Sequence, residues 1–258
     1  MLKKITILAI AILSVGSGYA QKSDAHKHVK PSQEAIQKPK LVVGLVIDQM
    51  RWDYLYRYQS KYTDGGFKRL LNTGFSLNNV MIPYIPTVTA LGHTSVYTGS
   101  VPSIHGIAGN DWTDKSTGKN VYCTTDTSVQ AVGTSNAKIG QHSPRNLWST
   151  TITDQLGIAT NFRSKVVGVS LKDRASILPA GHNPTGAFWF DDSSGDFITS
   201  SYYMNDLPTW VKDFNAKNLP KSLVANGWDT LLPIEQYTES TSDNNKWEGL
   251  LGSAKTPT

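Results

Sequence analysis

One cysteine, Cys123, is all that the 258 residues contain. A lone thiol excludes a disulfide within the chain and any cluster built on thiolates, so a bound metal has to be held by oxygen and imidazole ligands. Cys123 itself reads as a small buried apolar residue. Long apolar runs are also missing: the stretch from Ile5 to Val15 is too short to cross a bilayer as a helix, and no second one follows. Nor does the body of the chain have a charge surplus. The formal net charge is +5, but seven of the twenty-five basic residues lie in residues 1–40 against only Asp24 and Glu34, leaving eighteen of each sign in the rest. The high isoelectric point, near 9.1, therefore belongs to the N-terminal region and is no argument for binding nucleic acid or a membrane surface. No internal repeat is visible.

What is present begins with Lys3 and Lys4, an apolar run and small residues up to Ala20, the pattern of a secretory signal peptide over residues 1–20. Residues 21–40 are polar and contain proline, with little to bury, and read as a flexible leader. The remaining 41–258 is long enough for a sizeable core. The expected location is the periplasm or the exterior.

Residues 41–47, LVVGLVI, are apolar and β-branched without alternation, which predicts a strand buried on both faces and ending at Asp48. Helical spacing follows from Arg51 to Asn72, with Leu55, Phe67, Leu70 and Leu71 as core positions and Asn72-Thr73-Gly74 as the stop. A second strand is expected from Phe75 to Ile82, and a short helix from Ala90 to Thr98. Asp111 to Thr124 reads as a hairpin closed at Lys115-Ser116-Thr117-Gly118, and Gly186 to Tyr203 as another around Ser193-Ser194-Gly195. Ser143-Pro144 predicts a helix start with the helix running to Leu156. Residues 165–171, KVVGVSL, repeat the buried-strand pattern and end at Lys172. The sum is an α/β fold, a mostly parallel sheet flanked by helices with inserted β-hairpins.

Ligand crevices in such sheets lie beyond the carboxyl ends of the strands. Asp48 and Lys172 fall at two of those ends, and Thr89 follows the next strand by a short loop. A carboxylate in that position is costly unless it meets a cation, although a helix cap or a surface ion pair would also explain Asp48. Thr89, opening a helix, is an ordinary N-cap or a group placed to meet a phosphoryl moiety.

Residues 83–107 read PYIPTVTALGHTSVYTGSVPSIHGI. Taken with the strand ending in Asp48 and with Asn110, this stretch resembles the metal-dependent phosphatases and nucleotide pyrophosphatases/phosphodiesterases of the alkaline phosphatase superfamily. The resemblance spans most of residues 41–110 and implies that Thr89 is the nucleophile and a metal ligand, that Asp48 is a metal ligand, and that Asn110 contacts a non-bridging phosphoryl oxygen. It assigns His93 and His105 to the scaffold. The stretch Ser170-Leu171-Lys172-Asp173-Arg174 resembles the phosphate-contacting pair of the phosphate-irrepressible bacterial alkaline phosphatases, and an extended backbone there would point Lys172 and Arg174 to the same side.

The resemblance further implies two zinc ions, a phosphothreonine intermediate and small phosphate monoesters as substrates. With the basic surplus confined to the N-terminal region, no nucleic-acid partner and no membrane contact after signal cleavage are expected, and a monomer is the simplest assembly. The pattern departs from the family in one respect. No Asp-x-x-x-His or Asp-His pair follows Asn110, and His142 and His182 stand alone, so the remaining zinc ligands are expected beyond Thr258, in a missing C-terminal half. The alternatives are a phosphodiesterase or nucleotide pyrophosphatase, and an inactive truncated fragment that binds phosphate or metal.

Overall fold

The structure is a computed structural model describing residues 38–225, 230–241, 246, 250–251 and 254–255. The predicted signal peptide and nearly all of the predicted leader lie outside the described residues. Two units are distinguished, 1–45 and 46–258. Of the first, residues 38–45 are irregular and exposed.

In the second unit the chain forms α1 (Tyr54–Arg57), a single 3-10 turn (Gln59–Lys61) and α2 (Gly66–Thr73). These are followed by α3 (Thr89–Thr98), α4 (Pro102–His105), β1 (Asp111–Thr113), β2 (Asn120–Tyr122), β3 (Ala131–Val132) and α5 (Ala137–Gly140). Then come α6 (Ile152–Ala159), β4 (Val167–Val169), α7 (Asp173–Ala180), β5 (Gly186–Asp191), β6 (Asp196–Ser200), α8 (Thr209–Asn215) and α9 (Leu219–Val224). A 3-10 turn (Ile234–Gln236) and the short strands β7 (Leu250–Leu251) and β8 (Ala254–Lys255) complete the described elements.

The main sheet has the order β3-β6-β5-β4. Parallel pairing is confined to β4 and β5, joined through α7 as a β-α-β unit; β5–β6 and β3–β6 are antiparallel. The fold is α/β with a mixed sheet flanked by helices. Both hairpins form where their turn residues place them, β1–β2 and β5–β6.

Four expected elements differ. Residues 41–47 and 75–82 form no strand, and Leu41, Val42, Phe75 and Met81 are between 73% and 90% exposed. A strand exists only when its N–H and C=O groups meet a neighbour, and an apolar run carries no information on whether that neighbour is in place. Residues 51–72 break into two short helices around a 3-10 turn, and Leu70, expected in the core, is exposed. Ser143 does not start a helix. Its Oγ donates to Asp126 Oδ2 at 2.6 Å, and the helix begins at Ile152, where Thr151 and Asp154 form a reciprocal capping box.

Helix α7 connects the two larger core clusters. Leu178 packs with Ala90, Ile107, Cys123 and Leu147, while Ile177 and Ala180 pack with Ala187, Trp189 and Ile198. Close approach of α7 to the sheet depends on Gly168 in β4, because a Cβ there would collide with the Ser176 carbonyl. The strand buried on both faces is β5: Ala187 and Trp189 enter one cluster and Phe188 enters another with Val132, Leu207 and Val211. In β4 the valines remain exposed, Val167 by 49% and Val169 by 56%. Helix α3 lies against α7, burying Ala90, Leu91, His93 and Thr94.

Candidate active site

The polypeptide enters α3 in extended conformation at Val88, and Thr89 is the first helical residue. Val88, with no side chain able to accept a hydrogen bond, is the N-cap, so the first-turn amides need other partners. Asn110 supplies one: its Oδ1 accepts from the Ala90 N–H at 2.9 Å. That bond fixes the amide's orientation, with Oδ1 as the acceptor and Nδ2 as the donor end.

Thr89 Oγ1 donates to Asp48 Oδ2 at 3.4 Å. The structure thus brings Thr89 and Asp48 together, although Asp48 follows irregular chain and not a buried strand. His93 Nδ1 sits 2.8 Å from the Thr89 carbonyl, and His105 lies between Ser95 Oγ (Nε2, 3.0 Å) and the Ile107 N–H, which donates to its Nδ1. His105 is fully buried, and burial pushes its pKa down, so it stays neutral with the proton on Nε2. Both histidines hold the backbone of the motif.

Asn110 is tied through its carbonyl to the Cys123 amide at 2.9 Å, which brings the end of β2 beside the helix start. Arg174 reaches the same place: its Nη1 donates to Tyr122 Oη at 2.9 Å. The Arg174 Nε is buried without a hydrogen-bond partner, an unmet donor on a cationic group. Lys172 goes elsewhere. It lies on the surface with Nζ 3.6 Å from Asp192 Oδ2, an exposed pair that contributes little. The expectation that Lys172 and Arg174 point the same way fails because the backbone turns helical at Asp173. Lys172 is the extended N-cap and Arg174 the second helical residue, so the strand geometry that would put two such residues on one face is interrupted between them.

Sequence reasoning missed the residues that hold Arg174. Tyr122 Oη donates to Asp173 Oδ2 at 3.1 Å, and Thr124 Oγ1 donates to Asp173 Oδ1 at 2.5 Å. His142 Nδ1 is 3.2 Å from Thr124 Oγ1, so this histidine is not isolated. The i, i+2 spacing of Tyr122 and Thr124 at a strand end was the available signal. Burial first, and then the Asp173 charge, push up the Tyr122 phenol and lift the Cys123 thiol to about 12. Cys123 is accordingly a neutral packing residue. His182, the other histidine expected to stand alone, pairs with Asp154 at 2.9 Å, away from Thr89 in sequence and partners.

Metal fit is partial. Asp48 and Thr89 offer two adjacent oxygens, and among the described residues no group of three or more His, Cys, Asp or Glu side chains is placed to hold an ion. Two ligands do not close a tetrahedral zinc shell. Among the described residues, no helix is long and apolar enough to cross a membrane.

Residues 42–255 match the model for type I phosphodiesterase / nucleotide pyrophosphatase. The chain belongs to that family. Within the family it is 77% identical over 224 residues to alkaline phosphatase PafA of Elizabethkingia meningoseptica, covering 87% of this chain and 41% of that protein. It is 54% identical over 253 residues to alkaline phosphatase PhoV of Synechococcus elongatus, covering 98% of this chain and 46% of the relative. A protein of Myroides odoratus named calcium-transporting ATPase is 58% identical over 88% of this chain and 41% of its own. The crystal structure of wild-type PafA superposes with a TM-score of 0.84 over 87% of this chain and 43% of that one. A solved PafA variant is changed at a threonine, an asparagine, a lysine and an arginine with the same mutual spacing as Thr89, Asn110, Lys172 and Arg174 here. The chain spans less than half the length of these family members.

Proposed function

We propose that the protein to which this chain contributes hydrolyses phosphate monoesters, with Thr89 as the nucleophile. The observation that carries this reading is the Thr89–Asp48 pair at the start of α3, in a chain 77% identical to an alkaline phosphatase. Thr89 Oγ1 attacks phosphorus in line, the ester oxygen leaves, and water cleaves the phosphothreonine to release phosphate. Asn110 Nδ2, the first-turn amides of α3 other than that of Ala90 and the Arg174 guanidinium are the donors offered to the non-bridging oxygens. Lys172 joins them once it leaves Asp192, an exchange that an exposed ion pair permits at small cost.

Asp48 and Thr89 are this chain's share of a zinc site, and the other ligands come from outside the described residues. Zinc, when bound, would lower the pKa of the threonine hydroxyl enough to make it nucleophilic at ordinary pH. The likeness to alkaline phosphatases and the N-terminal secretion pattern support action in the periplasm or outside the cell on small monoesters.

The test is to quench the enzyme, expressed from its complete coding sequence, in acid during turnover of a labelled monoester and map the label. Phosphate on the peptide containing Thr89 is the expected result; label on another residue, or none in a Thr89→Ala protein that still turns over, would overturn it. A second reading, phosphodiester hydrolysis, is favoured by the family's own description. Comparing the two substrate classes separates them. A third, a fragment that only binds phosphate or metal, follows from the sparse ligand set; stoichiometric zinc with turnover in the isolated chain would eliminate it.

A further inference from the structure

Arg174 is described by two unusual facts at once: one terminal nitrogen is tied down, and its Nε is buried with nothing to bond. A free arginine side chain is long and samples many rotamers, so an anion that needs it pays an ordering cost on binding. The Tyr122 hydroxyl removes that freedom. It accepts from Arg174 Nη1 at 2.9 Å and donates to Asp173 Oδ2 at 3.1 Å. Asp173 is in turn held by Thr124 at its other oxygen, and Thr124 stands against His142 Nδ1. His142 is itself wedged edge-on between the Tyr122 and Trp189 rings. The chain of contacts runs from the core of the sheet to one guanidinium.

Two features show that this network serves Arg174 and not merely the fold. Asp173 makes no direct ion pair with the arginine beside it; its two oxygens receive the hydroxyls of Tyr122 and Thr124, so no carboxylate oxygen occupies the guanidinium's donors. The tyrosine, not the carboxylate, touches the arginine, and it does so at Nη1, while Nε stays buried and unpartnered.

We propose that Tyr122, backed by Asp173 and Thr124, is a positioning residue that holds the Arg174 guanidinium in place for the phosphoryl group, and that it thereby contributes to the preference for dianionic monoesters. This rests on the phosphatase reading above, since it gives Arg174 its ligand. A dianion gains more than a monoanionic diester from a cation aimed in advance, so the effect is on specificity.

The test uses the enzyme expressed from its complete coding sequence, with Tyr122→Phe and Arg174→Ala separately and together. Tyr122→Phe keeps the ring packing and removes only the hydroxyl. It is expected to lower monoester kcat/KM about tenfold, the loss of one hydrogen bond to a charged group, and to weaken inhibition by inorganic phosphate similarly. Diester kcat/KM should move less than twofold, and Tyr122→Phe should add nothing in the Arg174→Ala protein. Equal losses on both substrates, or a further tenfold loss in the double variant, would make Tyr122 structural and overturn the proposal. If Arg174→Ala lowers monoester turnover but Tyr122→Phe does not, the positioning role fails while the phosphatase reading stands. If Arg174→Ala itself has no effect, Arg174 is not a phosphoryl ligand and the proposal falls with it. Circular dichroism and zinc content of each variant guard against misfolding, and Tyr122→Trp, which keeps an aromatic ring without the phenol, should behave like Tyr122→Phe.

Discussion

The Thr89 hydroxyl donates to the Asp48 carboxylate across 3.4 Å, joining the first residue of α3 to a residue forty-one positions earlier. Because Val88, not Thr89, is the N-cap, and the side chain that accepts from a first-turn amide is that of Asn110, the threonine hydroxyl is not needed to start the helix. Thr89→Ala should therefore abolish phosphomonoesterase activity at a stability cost below about 1 kcal/mol, that of one solvent-accessible hydrogen bond. Thr89→Ser should retain appreciable turnover. Activity of the alanine variant within tenfold of the parent would remove Thr89 from the mechanism.

Asp48→Ala is expected to act on metal affinity before it acts on chemistry, since deleting a ligand weakens the ion while Thr89 stays in place. Zinc content after dialysis should fall, and added zinc should restore part of the rate. A variant with undiminished zinc and parental kinetics would leave Asp48 as nothing more than a hydrogen-bond acceptor for Thr89.

Removing both cations of the Lys172-Asp173-Arg174 segment separates the two enzyme readings. Lys172→Ala/Arg174→Ala should lower monoester kcat/KM by two to three orders of magnitude, about 3–4 kcal/mol, and diester hydrolysis much less. Of the two single variants, Arg174→Ala should have the larger effect, because Arg174 is half-buried and held by Tyr122 while Lys172 is exposed beside Asp192. Equal losses on both substrates would raise the diesterase reading to equal standing.

His182 is set between two acceptors, Asp154 Oδ2 at Nδ1 and the Leu147 carbonyl at Nε2, both 2.9 Å away, and satisfies both only as the imidazolium. The bond to Asp154 raises its pKa above the usual 6.5 despite burial. Burial by itself would raise Asp154, but hydrogen bonds from His182 and from the Thr151 amide outweigh it and hold the carboxyl at about 2, against an ordinary 3.8. The imidazolium's contribution is complete below pH 6.5 and is lost as pH rises through the raised value; the carboxylate's is complete above 3.8 and is lost as pH falls through 2. Tm should be flat between those limits and decline on the alkaline side, and His182→Ala should remove that alkaline component. Parallel Tm curves for the two proteins from pH 5 to 9 would refute the charged pair.

Gly168→Ala should destabilise by about 1–3 kcal/mol, the cost of overpacking, because its Cβ meets the Ser176 carbonyl and comes within 2.9 Å of the Ala180 Cβ. Since α7 must move to relieve the clash and carries Arg174 in its first turn, phosphate inhibition should weaken as well. An unchanged Tm would show that α7 and β4 are free to separate.

Local signals were legible in the sequence. The Lys115-Ser116-Thr117-Gly118 and Ser193-Ser194-Gly195 turns closed their hairpins, α3 began within one residue of its expected start, and Pro86-Thr87-Val88-Thr89 with Asn110 marked the candidate site. Each depends on residues close together in the chain, whose φ and ψ preferences and turn chemistry act at short range. What residues 41–47 and 75–82 would do was not legible, because an apolar pattern reports the wish to be buried and not the presence of a partner strand. The same limit hid the buried strand β5 inside what reads as a simple hairpin. It also hid the opposite directions of Lys172 and Arg174, which turn on where helix α7 begins, and the bonds from Tyr122 and Thr124 to Asp173, forty-nine to fifty-one positions away. Sequence determined which candidate side chains stand in the motif; tertiary packing alone decided which of them meet, since side-chain direction is set by neighbours that the chain brings together only on folding.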